Sequence, residues 1–183
     1  MSRVLVERAQ AGDRDAYEQL ARGAARRLFL VASRILGDID EAEDAVQRTL
    51  LAMWQDLPRL RDPDRFEAWT YRMVVHQCRN AGRRERRMGV RVVDLNVDLR
   101  SNLDHEGDVV LHDQLRRAFD NLSPDHRTVV VLRHLVGMPI GDIAEVTGVP
   151  AGTVASRLHH AMRAMRASID AGERLPEREG QPA

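Results

Sequence analysis

The segment from Gly141 to Arg166, GDIAEVTGVPAGTVASRLHHAMRAMR, constrains the fold more than any other part of the chain. Ile143, Ala144 and Val146 give a short helix an apolar side, and Gly148 with Pro150 breaks the chain after it. Beyond the break Val154, Leu158, Ala161 and Met165 recur every three or four residues, the period of a helix with one buried stripe. Thr153, Ser156 and Arg157 fall near its start. This is the layout of a helix-turn-helix, whose second helix enters the DNA major groove by its N-terminal end. An ordinary helical hairpin inside a core would show the same stripes, so the segment alone leaves both readings open.

At 183 residues the chain can hold one medium domain or two small ones. Aromatic residues are few and strand-like alternation is scarce, which predicts an all-α protein. The single cysteine, Cys78, excludes an intramolecular disulfide and a cysteine-cluster zinc site. No apolar run has signal-peptide or membrane-spanning length, so a cytoplasmic protein is expected. All 28 basic residues are arginine. Arginine suits planar contacts to phosphate and guanine, although a GC-rich coding bias gives the same composition.

Formal neutrality hides a sorting of charge. Residues 1–93 carry 18 Arg against 14 acids, residues 94–120 carry 3 against 7, and the remainder is even. Within the first stretch Asp38, Asp40, Glu41, Glu43 and Asp44 cluster, while Arg79, Arg83, Arg84, Arg86, Arg87 and Arg91 form a basic run.

The first stretch reads as four helices. After an opening helix from Val4 to Ala11, Gly12-Asp13 makes a break. Tyr17, Leu20, Ala24, Leu28, Val31 and Ile35 then mark one face of a long helix that Gly37 ends. Asp40, with Glu43 three residues on, is the expected cap of the next helix, which buries Val46, Leu50, Met53 and Leu57 and stops at Pro58. The loop RLRDPD, 59–64, leads to a fourth helix that starts near Phe66 and runs into the arginines. In the second stretch Leu111, Leu115, Ala118 and Leu122 predict one helix, and Ser123-Pro124-Asp125 is a strong start for another that ends near Gly137. These signals give a domain over 1–93, a flexible acidic linker over 94–110, a helix-turn-helix domain over 111–169 and a disordered tail over 170–183.

Four segments in this order resemble the extracytoplasmic-function (ECF) group of bacterial RNA polymerase sigma factors, of the sigma-70 family, over nearly the whole chain. They are VLVERAQAGDRDAYEQL, DEAEDAVQRTLLAMW from Asp40 to Trp54, FEAWTYRMVVHQCRNAGRRERR from Phe66 to Arg87, and LSPDHRTVVVLRHLVGMPIGDIAEVTGVPAGTVASRLHHAMRAMR. The resemblance implies an all-α pair of modules that bind core RNA polymerase and promoter DNA and direct transcription initiation. It also implies an anti-sigma factor as partner, and neither catalysis nor a cofactor.

The resemblance assigns polymerase docking to Asp40, Glu41, Asp44 and Gln47, a helical face offering carboxylates and an amide. It assigns the minus-ten element and its melted strand to Arg59, Arg61, Asp62, Arg65, Arg72, His76, Asn80, Arg83 and Arg84. Phe66 and Trp69 match the buried period better than a stacking platform. The minus-thirty-five element falls to Thr153, Ala155, Ser156, Arg157, His159 and His160. The family usually carries Asn at His76, Lys or Arg at Ala155 and Arg at His160, so a less basic upstream reader is expected. The acidic linker resembles the family segment that threads the polymerase cleft; a plain solubilising linker has the same composition.

Seven histidines include no HxxxH pair with a further ligand, so no metal site is expected. No phosphate loop, nucleophile elbow or catalytic carboxylate pair stands out. The alternative to a sigma factor is a helix-turn-helix regulator that acts without being a polymerase subunit. Such a regulator has no need of the acidic helix followed by an aromatic and arginine-rich one.

Overall fold

The computed structural model describes the backbone of residues 3–88 and 106–173, and the side chains of 3–82 and 113–171. All regular elements among them are helical. α1 (Arg3–Gln10), α2 (Arg14–Leu36), α3 (Ile39–Asp56) and α4 (Phe66–Met88) form the first module. α5 (Glu106–Asp120), α6 (Pro124–Val130), α7 (Ile140–Thr147) and α8 (Ala151–Glu173) form the second.

The helix boundaries follow from local chemistry. Asp13 caps α2 by accepting the Ala16 amide at 3.0 Å. Gly37 closes that helix in the left-handed region at φ 78°, where its N–H donates to the Ser33 carbonyl. Asp38, not the expected Asp40, caps α3 and accepts the Glu41 amide at 2.8 Å. Both Asp38 and Asp40 have Glu three residues on, and the earlier pair takes the role because Gly37 has already turned the chain. Ser123 caps α6, with Pro124 at its first position. The end of α6 widens into a π-turn over Val131–Leu135. Gly148, left-handed at φ 69°, ends α7 and permits the turn into α8.

Two expected boundaries shift. Residues 106–110, read as linker, belong to α5. Residues 170–173, read as tail, continue α8. The rest of the expected linker, 94–105, and of the expected tail lies outside the described residues. Leu115, expected on the buried stripe of α5, is exposed.

α2 is the central strut, packing against α1, α3 and α4. Its expected stripe is buried from Leu20 through Ile35. Val6, Met53, Leu57 and Phe66 close a second cluster beneath α1. In the other module α8 packs on α5, α6 and α7 through Val154, Ala161 and Met165.

Candidate functional site

Three surfaces carry the residues singled out by sequence. On α3, Asp40, Asp44 and Gln47 are exposed along one stripe, and Asp44 holds Arg48 at 2.8 Å. Glu41 turns away from that stripe: it is half-buried, and its charge helps raise the pKa of the Cys78 thiol. Leu51 and Trp54 extend the exposed stripe and are 65% and 47% exposed. Trp54 is held edge-on to Tyr17 with ring centroids 4.6 Å apart. The Tyr17 hydroxyl donates to the Leu50 carbonyl at 2.7 Å. Leu51 and Trp54 lie outside the buried stripe of Val46, Leu50, Met53 and Leu57 that the sequence predicts, and outside the docking residues that the resemblance assigns. Their spacing of seven and ten residues from Asp44 was the available signal.

The second surface is the loop before α4 and the outer side of that helix. The loop consists of two 3₁₀ turns, Leu57–Arg59 and Pro63–Arg65. Asp62 caps the second, accepting the Asp64 amide at 3.0 Å. Gln10 pins the loop from α1, its side-chain amide donating to the Leu57 and Leu60 carbonyls at 3.0 and 2.7 Å. Arg3 adds an ion pair to Asp64 at 2.8 Å. This fixed frame presents Arg59, Arg61, Asp62 and Arg65 to solvent, with Arg72 and His76 exposed further along α4. The Asn80 amide nitrogen lies 3.4 Å from His76 Nδ1. Phe66 is buried and Trp69 half-buried, as the periodicity predicts. The side chains of Arg83 and Arg84 lie outside the described residues.

The third surface is the start of α8. Ala155, Ser156, His159 and His160 are exposed, while Thr153 and Arg157 are half-buried. The Ser156 hydroxyl donates to the Thr153 carbonyl at 3.1 Å. Arg157 pairs with Asp125 at 2.7 Å, and its side chain is only 23% exposed. Arg163, absent from the sequence reading, is exposed two turns beyond Ser156. The exposed face at the start of α8 is thus small, polar and imidazole-bearing, with its nearest arginine drawn inward. Among the described residues no three His, Cys, Asp or Glu side chains converge as a metal site.

These surfaces coincide with known family segments. Residues 16–88 match the model of sigma-70 region 2, and residues 112–165 match that of sigma-70 region 4. The ECF RNA polymerase sigma-E factor of Haemophilus influenzae is 31% identical over 169 residues, which cover 86% of this chain and 89% of that protein. The chain belongs to the ECF group of the sigma-70 family.

Another relative, the ECF RNA polymerase sigma factor SigE of Mycolicibacterium smegmatis, is 29% identical over 155 residues, and the match spans 60% of its length. The solved structure of CnrH in complex with the cytosolic domain of CnrY superposes with a TM-score of 0.67 at 25% identity, covering 92% of this chain and 97% of that one. The sigma factor RpoE of Bartonella quintana, solved with the anti-sigma factor NepR, has the same fold, with a TM-score of 0.69 at 22% identity, covering 84% of this chain and 96% of that one. The region 2 match covers the α3 stripe and the loop before α4, and the region 4 match covers the start of α8. No described helix is long and apolar enough to cross a membrane.

Proposed function

We propose that this chain is an ECF sigma factor that binds core RNA polymerase, reads the minus-thirty-five and minus-ten elements of a promoter and stabilises the melted strand. The observation that carries the reading is the co-occurrence, in family order, of a region 2 module with an exposed acidic stripe and a region 4 module with an exposed helix start. Neither module alone calls for the other. An independent regulator would need the second module only.

Each surface has a part. The α3 stripe of Asp40, Asp44 and Gln47, extended by Leu51 and Trp54, docks on a basic, partly apolar surface of the polymerase. Apolar side chains at the end of a charged stripe supply desolvated area, and the carboxylates supply orientation. The pinned loop of Arg59, Arg61, Asp62 and Arg65 receives an unstacked minus-ten base, and Arg72, His76, Asn80, Arg83 and Arg84 follow the strand. Ser156, His159 and His160 meet base edges or phosphates upstream, with Thr153 and Ala155 in close approach and Arg157 beside them. An anti-sigma factor that covers both modules is the matching negative regulator, and the cytoplasm is the site of action.

Permanganate footprinting tests the reading. Core polymerase with this chain should make thymines near the minus-ten element of a responsive promoter reactive, whereas either component alone should leave them protected. Binding of duplex DNA by the chain alone, with no core-dependent melting, would favour the regulator.

A further inference from the structure

α1 lies upstream of the segment that matches region 2, yet it is joined to the loop that precedes α4. Three kinds of contact make the joint. Val6 and Ala9 pack in one cluster with Leu57 and Phe66, which flank the loop, and Leu60 packs against that cluster from within it. Gln10, the last residue of α1, donates from its side-chain amide to two loop carbonyls, Leu57 at 3.0 Å and Leu60 at 2.7 Å. Arg3 pairs with Asp64 at 2.8 Å.

These contacts are unequal. Arg3 and Asp64 are 56% and 62% exposed, so their attraction is weak and screened by water. Leu57 and Phe66 are buried and hold the two ends of the loop whatever its middle does. Gln10 is half-buried and acts on the middle. Leu60 stands between the two 3₁₀ turns, with an extended backbone at φ −68°, ψ 110°, so a side chain from elsewhere has to fix its carbonyl. Leu60 also lines one side of a cleft, together with Arg61, Asp62, Arg65, Trp69 and Arg72. The amide that grips the Leu60 carbonyl therefore also sets where that wall of the cleft stands.

We propose that Gln10 is a positioning residue for capture of the minus-ten base: by holding the Leu57 and Leu60 carbonyls it keeps the loop in its receiving geometry before DNA arrives. The inference rests on the sigma-factor reading, which puts the unstacked base at this loop. A base that leaves the duplex stack gives up its neighbours, and a wall already in place returns contact without a further ordering cost. A loop freed at Leu60 has to be ordered by the base itself, against the conformational entropy of each backbone link that becomes fixed. The loss on removing Gln10 therefore falls on the one captured base, and the α3 stripe and the arginines of α4 keep their parts.

The test separates that base from the rest of the promoter. Gln10→Glu keeps the shape of the side chain and turns its donors into acceptors that face two carbonyls. Gln10→Met keeps the length and removes the donors. Thr49→Ala is the control: Thr49 is buried in α3 and donates to the Ala45 carbonyl at 2.7 Å, so its loss weakens the module away from the joint. Core polymerase loaded with each form of the chain is titrated with fork-junction DNA of a promoter that gives run-off transcripts. Each minus-ten base of the non-template strand is replaced in turn by an abasic site. In the unmodified chain one position should dominate, its removal weakening binding about ten- to a hundredfold. In Gln10→Glu and Gln10→Met that one penalty should shrink to less than about threefold, with core affinity and the penalties at other positions unchanged. Arg3→Ala should keep most of the penalty, since the pair it breaks is exposed. Thr49→Ala should lower the melting temperature and keep the penalty in full. An undiminished penalty in the Gln10 variants, a uniform fall at every position, or a fall shared by Thr49→Ala would overturn the proposal, as would an unmodified chain in which no position dominates. Absence of run-off transcripts with the unmodified chain would instead remove the sigma-factor reading.

Discussion

Arg157 donates to the Asp125 carboxylate across 2.7 Å and so ties the start of α8 to the first turn of α6. Asp125 is half-exposed while Arg157 is largely covered, so under the proposed upstream-reading role the carboxylate would compete with DNA for the guanidinium. Arg157→Ala should weaken upstream-element binding by about 1–3 kcal/mol. Asp125→Ala should leave it unchanged or strengthen it severalfold, because it releases the arginine. Duplex binding in a gel-shift series measures both. Equal losses from the two substitutions would make the pair a structural tie with no part in recognition.

Asp44→Arg places a cation in the middle of the proposed docking stripe, and the ion pair it breaks is exposed and worth less than about 1 kcal/mol. Co-purification with core polymerase should therefore be lost while the melting temperature stays within a few degrees. Leu51→Asp should act in the same way, since Leu51 is 65% exposed and contributes little to the core. Retention of polymerase by both variants would remove docking from this face.

Burial pushes the Cys78 thiol up to about 12, with the nearby Glu41 charge adding to the effect. Native Cys78 should resist Ellman's reagent at pH 8 and react only on unfolding. The folded pKa lies above the unfolded one, so this group favours folding below about pH 9, and that contribution falls away as the pH climbs toward 12. Prompt labelling of the native chain would contradict the burial.

Asp120 is raised by desolvation, against the pull of Arg127, Arg116 and Arg34. A raised carboxylate favours folding when protonated, and its ionised form burdens the fold at neutral pH. Asp120→Asn should therefore raise the urea midpoint at pH 7, with the gain shrinking as the pH falls through the carboxylate range. A lower midpoint at pH 7 would show that the arginines outweigh the burial.

Much of this architecture is legible locally. Gly37, Ser123-Pro124 and Gly148 punctuate the chain where their backbone preferences say they must, and the α2 stripe from Leu20 to Ile35 is buried throughout. Asp38 caps α3 two residues before the expected Asp40, because both offer the same pattern. Leu115 and Glu41 show a different limit: period alone marks a face, and the direction of that face depends on a neighbour distant in sequence. The seam between α4 and α7 is the extreme case. Arg65 and Glu145 are 80 residues apart, and nothing in either local pattern pairs them. The inward turn of Arg157 was equally invisible, since Asp125 belongs to another helix.

Run-off transcription with purified core polymerase tests the assignment most directly. On templates carrying responsive promoters, core with this chain should yield discrete transcripts, core alone should yield none, and Asp44→Arg should abolish them. Promoter binding by the chain without polymerase, together with no core-dependent transcript from any such template, would contradict it.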